Sequence, residues 1–262
     1  MAEWVFSFTL HKTLTPSGAL ESSEGEGRSM IVVGIPAHNE EKTIGRVVAS
    51  AKNFADLVVV CDDGSTDGTA TVASRYGAIV EKHGSNMGYG RAISSLFSVA
   101  QRLHATVLVI LDGDSQHDPS ALPSMVRPIL SGEADIVIGS RFLSPEAIEQ
   151  IPPMRLLAIS IVSKLVRLLT GTKISDAQCG YRCYNQSAIR VLRPVRRGMG
   201  ASTEIIFDAM RAKLRVVEIP VLVRYKGLST SEKNPILHFL EVIVTTLYSA
   251  QTATKNESAS MT

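Results

Sequence analysis

Short apolar runs alternate with longer amphipathic stretches, and the alternation is regular through the first half of the chain. Met30–Ile35 is an apolar run that Pro36 is expected to stop. Glu40–Phe54 carries Ile44, Val47, Val48 and Ala51 at helical spacing, with Asn39 as the expected N-cap. Leu57–Cys61 predicts a second strand, Thr66–Tyr76 a helix closed by Gly77, and Ala78–Glu81 a short third strand. Gly88–Leu103 reads as a helix, Thr106–Leu111 as a strand, Pro119–Leu130 as a helix with proline near its first turn, and Asp135–Ile138 as a strand. Strands alternating with helices predict an α/β fold, a mostly parallel sheet with helices on both faces. The last third is less regular. Pro152–Thr170, Ser202–Leu214 and Pro235–Ala250 predict helices, Val216–Val223 a strand, and Tyr181–Tyr184 an edge strand. Residues 1–29 and 251–262 are expected to be mobile tails, and no internal repeat or second domain is visible.

Composition narrows this picture without deciding it. The chain has 262 residues and 45% hydrophobic positions, enough for one well-covered α/β core. Its net charge of +2 and low aromatic content argue against nucleic acid as a partner. Cys61, Cys179 and Cys183 complete no zinc set and are expected to be reduced thiols in a cytosolic setting. The apolar stretches Leu156–Leu169 and Ile236–Ala250 contain charges and fall short of the roughly 20 apolar residues a membrane span needs. Neither a basic start nor a small-residue cleavage site suggests a signal peptide.

The most telling residues are Asp112-Gly113-Asp114-Ser115-Gln116-His117, where an apolar strand ends abruptly in two carboxylates. Burying two ionised side chains without partners is costly, so they belong at the strand's C-terminal mouth. Asp-x-Asp places alternate side chains on one side of an extended chain. Both then reach one hard divalent ion, with Gln116 as a further oxygen ligand, and such an ion typically holds nucleotide phosphates. Three other polar segments follow strands or open helices. Pro36-Ala37-His38-Asn39-Glu40 lacks the glycines of an oxidoreductase dinucleotide site. Asp62-Asp63-Gly64-Ser65-Thr66-Asp67-Gly68-Thr69 has more acid than a turn requires. Gly84-Ser85-Asn86-Met87-Gly88-Tyr89-Gly90-Arg91 offers backbone N–H groups at a helix N-terminus, which suits an anion.

Taken in order, Pro-x-x-Asn-Glu, Asp-Asp-Gly-Ser-Thr-Asp-Gly-Thr, Asn-x-Gly-x-Gly, Asp-Gly-Asp-Ser-Gln-His and Gly-Ser-Arg-Phe resemble the motifs of inverting GT-A-fold glycosyltransferases of the dolichyl-phosphate mannose and glucose synthase type. The resemblance implies a Rossmann-like nucleotide-diphospho-sugar fold over residues 30–233. It implies transfer of a hexose, mannose or glucose, from a GDP- or UDP-sugar to a polyprenyl (dolichyl) phosphate with inversion. Pro36, His38, Glu40 and Asp62 would line the base and ribose, although His38 stands where many relatives carry Tyr. Asp112, Gly113, Asp114 and Gln116 match the diphosphate and metal site, with Mg2+ or Mn2+ as cofactor. Arg141 would face the donor sugar or acceptor phosphate, Asp176 would be a base or sugar anchor, and Arg182 an acceptor-phosphate ligand. Arg224 and Lys233 would clamp the diphosphate from a mobile loop. Glu204 reads either as a further acid near the site or as a charge meeting a helix dipole. Beyond the donor and acceptor, the implied partners are a membrane surface and a membrane-anchoring subunit or second copy of the chain.

Ile151–Thr170 is apolar on nearly every face and punctuated by Arg155, Lys164 and Arg167. It reads equally as a helix lying in a membrane interface and as a core or dimer helix. Residues 234–250 read similarly. The expected location is the cytoplasmic face of a membrane, held peripherally.

Overall fold

The computed structural model describes residues 29–195, 198, 200–225 and 242–248. Its centre is a seven-stranded sheet ordered β3-β2-β1-β4-β6-β5-β7. The strands are β1 Ile31–Ala37, β2 Leu57–Asp62, β3 Ile79–Lys82, β4 Val107–Ile110, β5 Ile136–Ser140, β6 Arg182–Asn185 and β7 Val216–Pro220. All run parallel except β6, which is antiparallel to both its neighbours. Successive residues of β1 point to opposite faces, yet Val32, Val33, Gly34 and Ile35 are all buried, so helices cover both faces.

The helices are α1 Ile44–Ala51, α2 Thr69–Arg75, α3 Tyr89–Arg102, α4 Leu122–Leu130, α5 Pro145–Gln150, α6 Pro153–Thr170, α7 Gln186–Val191 and α8 Ala201–Arg211. Residues 242–248 are also helical. Thr246 of that segment is buried, and its hydroxyl donates to the Thr203 hydroxyl of α8.

The structure corrects four expectations. Pro36 does not stop β1, which continues through Ala37. Gly34 accepts from Leu111 on the β4 side and Ala37 accepts from Asp63 on the β2 side. Alternation therefore turns the Pro36 nitrogen toward β4, whose ladder has already ended, and no hydrogen bond is lost. Asn39 does not cap the first helix, which begins only at Ile44. Asn39 lies in the left-handed region at φ 57° and bonds instead to the loop after β2. The Pro119–Leu130 helix is a 3-10 turn, Pro119–Ala121, followed by α4. Tyr181–Tyr184 lies in the middle of the sheet. Arg182 makes that stretch look like an edge, but its guanidinium is buried with every nitrogen bonded to a backbone carbonyl: Cys179 and Ala177 and Ser202, each at 2.8 Å.

Away from the site, Asp135 locks the lower ends of three strands. Its carboxylate takes the Arg215 guanidinium at 3.0 Å, the Arg215 backbone N–H at 2.8 Å and the Asn185 amide at 2.8 Å. Those bonds, the Arg215 side chain foremost, hold Asp135 down at about 2, against an ordinary 3.8. A depressed carboxylate contributes stability above its unfolded value and loses it as pH falls through the folded one. Because Arg215 is solvent-exposed, we expect a contribution of about 1 kcal/mol rather than the full linkage value. Asp135→Asn should therefore flatten the fall in stability between about pH 4 and pH 2, read by urea denaturation at several pH values. An unchanged acid limb would reject this role.

Candidate active site at the carboxyl end of the sheet

Most candidate residues within the described part lie at one end of the sheet. Pro36 lies one residue before the end of β1, Asp62 closes β2, Asp112–Gln116 follow β4, and Arg141 follows β5. Arg182 opens β6, and β6 runs in reverse, so its first residue reaches the same end. β1 is flanked by β2 on one side and β4 on the other, which makes the crevice between β1 and β4 the switch point where open α/β sheets bind ligands.

On one side of that crevice two loops are tied together. Asn39 accepts from the Thr66 N–H and donates to the Ser65 hydroxyl, each at 2.9 Å. Asp67 caps Thr69, and Glu41 accepts from the Gly68 N–H. Asp62 and Asp63 then divide their work. Asp63 accepts from His83 at 2.6 Å and from the Met87 and Gly88 N–H groups at 2.9 and 2.7 Å. The anion at the N-terminus of α3 is thus the chain's own Asp63, and the glycine loop is not an open phosphate cradle at those two N–H groups. Asp62 is fully buried, and its Oδ1 accepts from the Ser65 N–H at 3.1 Å. Its Oδ2 has no partner among the described residues. His38 is exposed, with its Nδ1 2.9 Å from the Asp63 carbonyl oxygen.

The central carboxylates stand over the crevice. Burial pushes Asp112 up to about 6, against the pull of Arg141, Arg155 and Arg182. Burial also raises Asp114, and Asp112 adds to the rise. Glu40 joins this acidic group: burial raises it, the Thr43 hydroxyl opposes, and Asp114 and Asp112 push it further up. Asp112 Oδ1 is buried with no hydrogen-bond partner among the described residues. Gly180 comes so close that a Cβ there would lie 2.8 Å from Asp112 Oδ2 and 3.2 Å from the Tyr89 hydroxyl. Gly113 lies against Pro36 and Ala37. Gln116 is buried, and its carbonyl accepts from the Arg224 N–H at 2.9 Å. His117 is buried and pushed down to about 4 by that burial, so it is neutral. Its Nδ1 accepts from the Asp112 N–H at 3.3 Å, which places the ring proton on Nε2.

The opposite wall is basic. Arg141 grips Asp176 with two parallel bonds, Nε to Oδ2 at 2.6 Å and Nη2 to Oδ1 at 2.7 Å. Both side chains are buried, and the remaining Arg141 nitrogen donates to the Tyr225 hydroxyl at 2.8 Å. Glu218 of β7 holds the Ser175 and Asp176 N–H groups at 2.7 and 2.8 Å. Arg224 reaches Asp118 at 3.2 Å. Lys233 lies outside the described residues. Glu204 is buried and accepts from the Val195 N–H, which joins the start of α8 to the preceding loop.

Sequence reasoning missed Arg155, Tyr225 and Glu218 as parts of this arrangement. Arg155 stacks on the Tyr225 ring, 4.9 Å from its centroid, and acts electrostatically on Asp112, Asp114 and His117. One signal was available. Arg155 sits in the first turn of α6, where the helix dipole disfavours a cation.

The mostly parallel sheet, with paired acids at its switch point and a basic wall opposite, has the GT-A fold. Residues 32–193 match the family described as Glycosyl transferase family 2, and the chain belongs to that family. It is similar to the UDP-N-acetylglucosamine–dolichyl-phosphate N-acetylglucosaminyltransferase of Methanococcus voltae, with 28% identity over 228 residues, spanning 79% of this chain and 91% of that one. It is also similar to the polyprenol monophosphomannose synthase of Mycolicibacterium smegmatis, with 27% identity over 232 residues and 82% and 87% of the two chains. In fold it matches glucosyl-3-phosphoglycerate synthase from Mycobacterium tuberculosis, solved with Mn2+, uridine diphosphate and glucosyl-3-phosphoglycerate. That match has a TM-score of 0.64, 22% identity, and covers 85% of this chain and 80% of that one.

The close approach of Gly180 gives a direct test. Gly180→Ala should displace the Asp112 carboxylate and lower nucleoside-diphosphate release about 100-fold while the far-UV spectrum stays native. Turnover at the native rate would mean that Asp112 has room to spare.

Proposed function

We propose that this family 2 glycosyltransferase moves a hexose from a nucleoside-diphosphate sugar to a polyprenyl phosphate with inversion, giving a lipid-linked β-glycosyl phosphate. The observation that carries the reading is the position of Arg155. It is an exposed cation whose charge acts on the Asp112–Asp114 pair, and it opens a helix that exposes apolar side chains along its length. Met154 and Leu168 are 78% and 74% exposed, with Leu157 and Ile161 exposed between them. An acceptor with an anionic head and a long apolar tail fits a cation at the site and an apolar path leading away from it. The names of the Methanococcus and Mycolicibacterium relatives, both transferases to polyprenol-type acceptors, support the same class.

The residues present fit a divalent ion. Asp112 offers a buried oxygen with no partner, and Asp114 shares the same acidic environment. Among the described residues no three His, Cys, Asp or Glu side chains converge to hold a metal. Mg2+ or Mn2+ would therefore rest on Asp112 and Asp114, with Gln116 nearby, and take its other ligands from diphosphate and water. When bound, the ion would neutralise charge building on the leaving diphosphate. Pro36, His38 and Glu40 would border the nucleotide, and Gly113 would let the backbone pass close to it. Arg224 and Lys233 would supply further positive charge to the diphosphate.

A phosphate acceptor is already an anion and needs positioning more than deprotonation. Arg155 would position it, with the buried Arg141 adding its charge from behind Tyr225. Asp176, with both oxygens on Arg141, then acts by fixing that guanidinium rather than as a base. Arg182 is committed to carbonyls and supports Asp112 through its charge rather than through ligand contact. The transferase domain would span residues 30–233; of the interfacial helix expected over 234–250, only 242–248 lie within the described residues. In the described part of that helix, Val244, Leu247 and Tyr248 are exposed opposite buried Val242 and Thr246. Among the described residues no helix is long and apolar enough to cross a membrane. α6 carries Arg155, Lys164 and Arg167 and no acidic residue, which favours an anionic lipid surface over a second copy bearing the same cations.

Nucleoside-diphosphate release should require both the divalent ion and polyprenyl phosphate, and Asp114→Ala should reduce it at least about 1,000-fold. Equal release with and without lipid would point to donor hydrolysis or a soluble acceptor. Arg155→Glu should raise the KM for polyprenyl phosphate at least about tenfold while donor affinity changes little. An unchanged KM would remove Arg155 from the acceptor site.

A further inference from the structure

Beyond β7, burial alternates along the chain. Val221 and Val223 are buried, Leu222 and Arg224 are exposed, and Tyr225 is half-buried on the inward side. The backbone is fastened up to the residue before that ring. The Val221 N–H donates to the Ser140 carbonyl at 3.1 Å, Val223 bridges to His117, and the Arg224 N–H donates to the Gln116 carbonyl at 2.9 Å. Tyr225 is therefore delivered by the end of β5 and by the loop that carries Asp112 and Asp114. Two arginines meet it from different directions. Arg141, buried and locked on Asp176, donates to the Tyr225 hydroxyl at 2.8 Å. Arg155 lies over the ring face, 4.9 Å from its centroid.

Little else holds Arg155 in place. It is exposed, it stands in the first turn of α6 where the helix dipole repels a cation, and among the described residues no carboxylate pairs with it. An arginine loose in solvent samples many rotamers, and a ligand that orders it binds more weakly for that reason. Stacking on an aromatic ring removes much of this freedom beforehand. It engages the flat face of the guanidinium and leaves the N–H groups, which lie in the plane, free for an anion. Resting on the transferase reading above, we infer that Tyr225 is a positioning residue for the acceptor. Its ring pre-orders Arg155 for the phosphate headgroup, while its hydroxyl completes the set of partners around buried Arg141. The two ends of one side chain do separate work, and substitution can separate them.

The test is calorimetric titration of the full chain with farnesyl phosphate, a short polyprenyl phosphate, and with farnesol, which has the same tail and no phosphate. Tyr225→Leu removes the ring and should weaken farnesyl phosphate at least about fivefold while leaving farnesol unchanged. Tyr225→Phe keeps the ring and should bind farnesyl phosphate within about twofold of the native protein, with a lower thermal midpoint because an Arg141 nitrogen loses its partner. Arg155→Met keeps the apolar stem, removes the charge and should also weaken farnesyl phosphate at least about fivefold. Combining Tyr225→Leu with Arg155→Met should weaken it no further than Arg155→Met alone, since the ring acts through that arginine. Multiplied losses in the double variant would overturn the inference, as would a phenylalanine variant as weak as the leucine one. Loss in Arg155→Met with none in Tyr225→Leu would overturn it and leave the acceptor reading standing. Farnesyl phosphate bound no better than farnesol by the native chain would overturn both. Should Tyr225→Leu not fold, Tyr225→Met fills more of the same space without a ring and takes its place.

Discussion

The arrangement at the carboxyl end of the sheet depends on the buried ion pair between Arg141 and Asp176. Withdrawing two charges from water costs several kcal/mol per ion, which mutual attraction repays only with good geometry and further hydrogen bonds. The protein meets that condition with two parallel bonds, the Arg141 and Gln178 N–H groups on the same carboxylate, and Glu218 holding the Asp176 backbone from β7. Such a pair is a poor source of net stability. Its effect is to fix a guanidinium in one orientation, at the end of β5, with Tyr225 and Arg155 layered outside it. Three segments far apart in sequence are thereby held at one point.

The same logic governs the charge pattern across the crevice. Acids gather on the β1, β2 and β4 side and arginines on the β5, β6 and α6 side. Each group makes the other tolerable: the three arginines restrain the rise of Asp112 that burial imposes. Where an acid is needed only for the fold, as with Asp63, its oxygens are fully occupied. Asp62 Oδ2 and Asp112 Oδ1, which have no partner among the described residues, belong to acids at the carboxyl ends of β2 and β4.

The parallel half of the fold was legible because its strands are continuous apolar runs, buried on both faces and punctuated by glycine and acid. Asp112 and Asp114 were legible for the same reason, since nothing apolar explains them. Other features lay beyond sequence reasoning because they depend on contacts between distant segments. Asn39 has the chemistry of a helix cap, but the nearest satisfied partners are on the loop after β2. Arg182 looks like a ligand until three carbonyls surround it, and those carbonyls come from residues 177–202. Asp62 and Asp63 are indistinguishable as letters; only the position of the α3 loop tells them apart. Arg155 was read as punctuation in an apolar helix because its neighbour, Tyr225, is distant in the chain.

The reversed strand β6 has a consequence for how the molecule forms. It is inserted between β4 and β5, pairing Val107 with Asn185 and Ile136 with Tyr184. Closing those pairings requires long loops, and loop closure must be paid for before the contacts return anything. The β1–β2–β3 unit assembles from neighbours in sequence and needs no such closure. Gly180 can back onto Asp112 only once β6 is seated, so the contact that crowds the Asp112 carboxylate belongs to the part of the sheet with the longest loop closures. A chain arrested before those closures would expose its acids without their counter-charges.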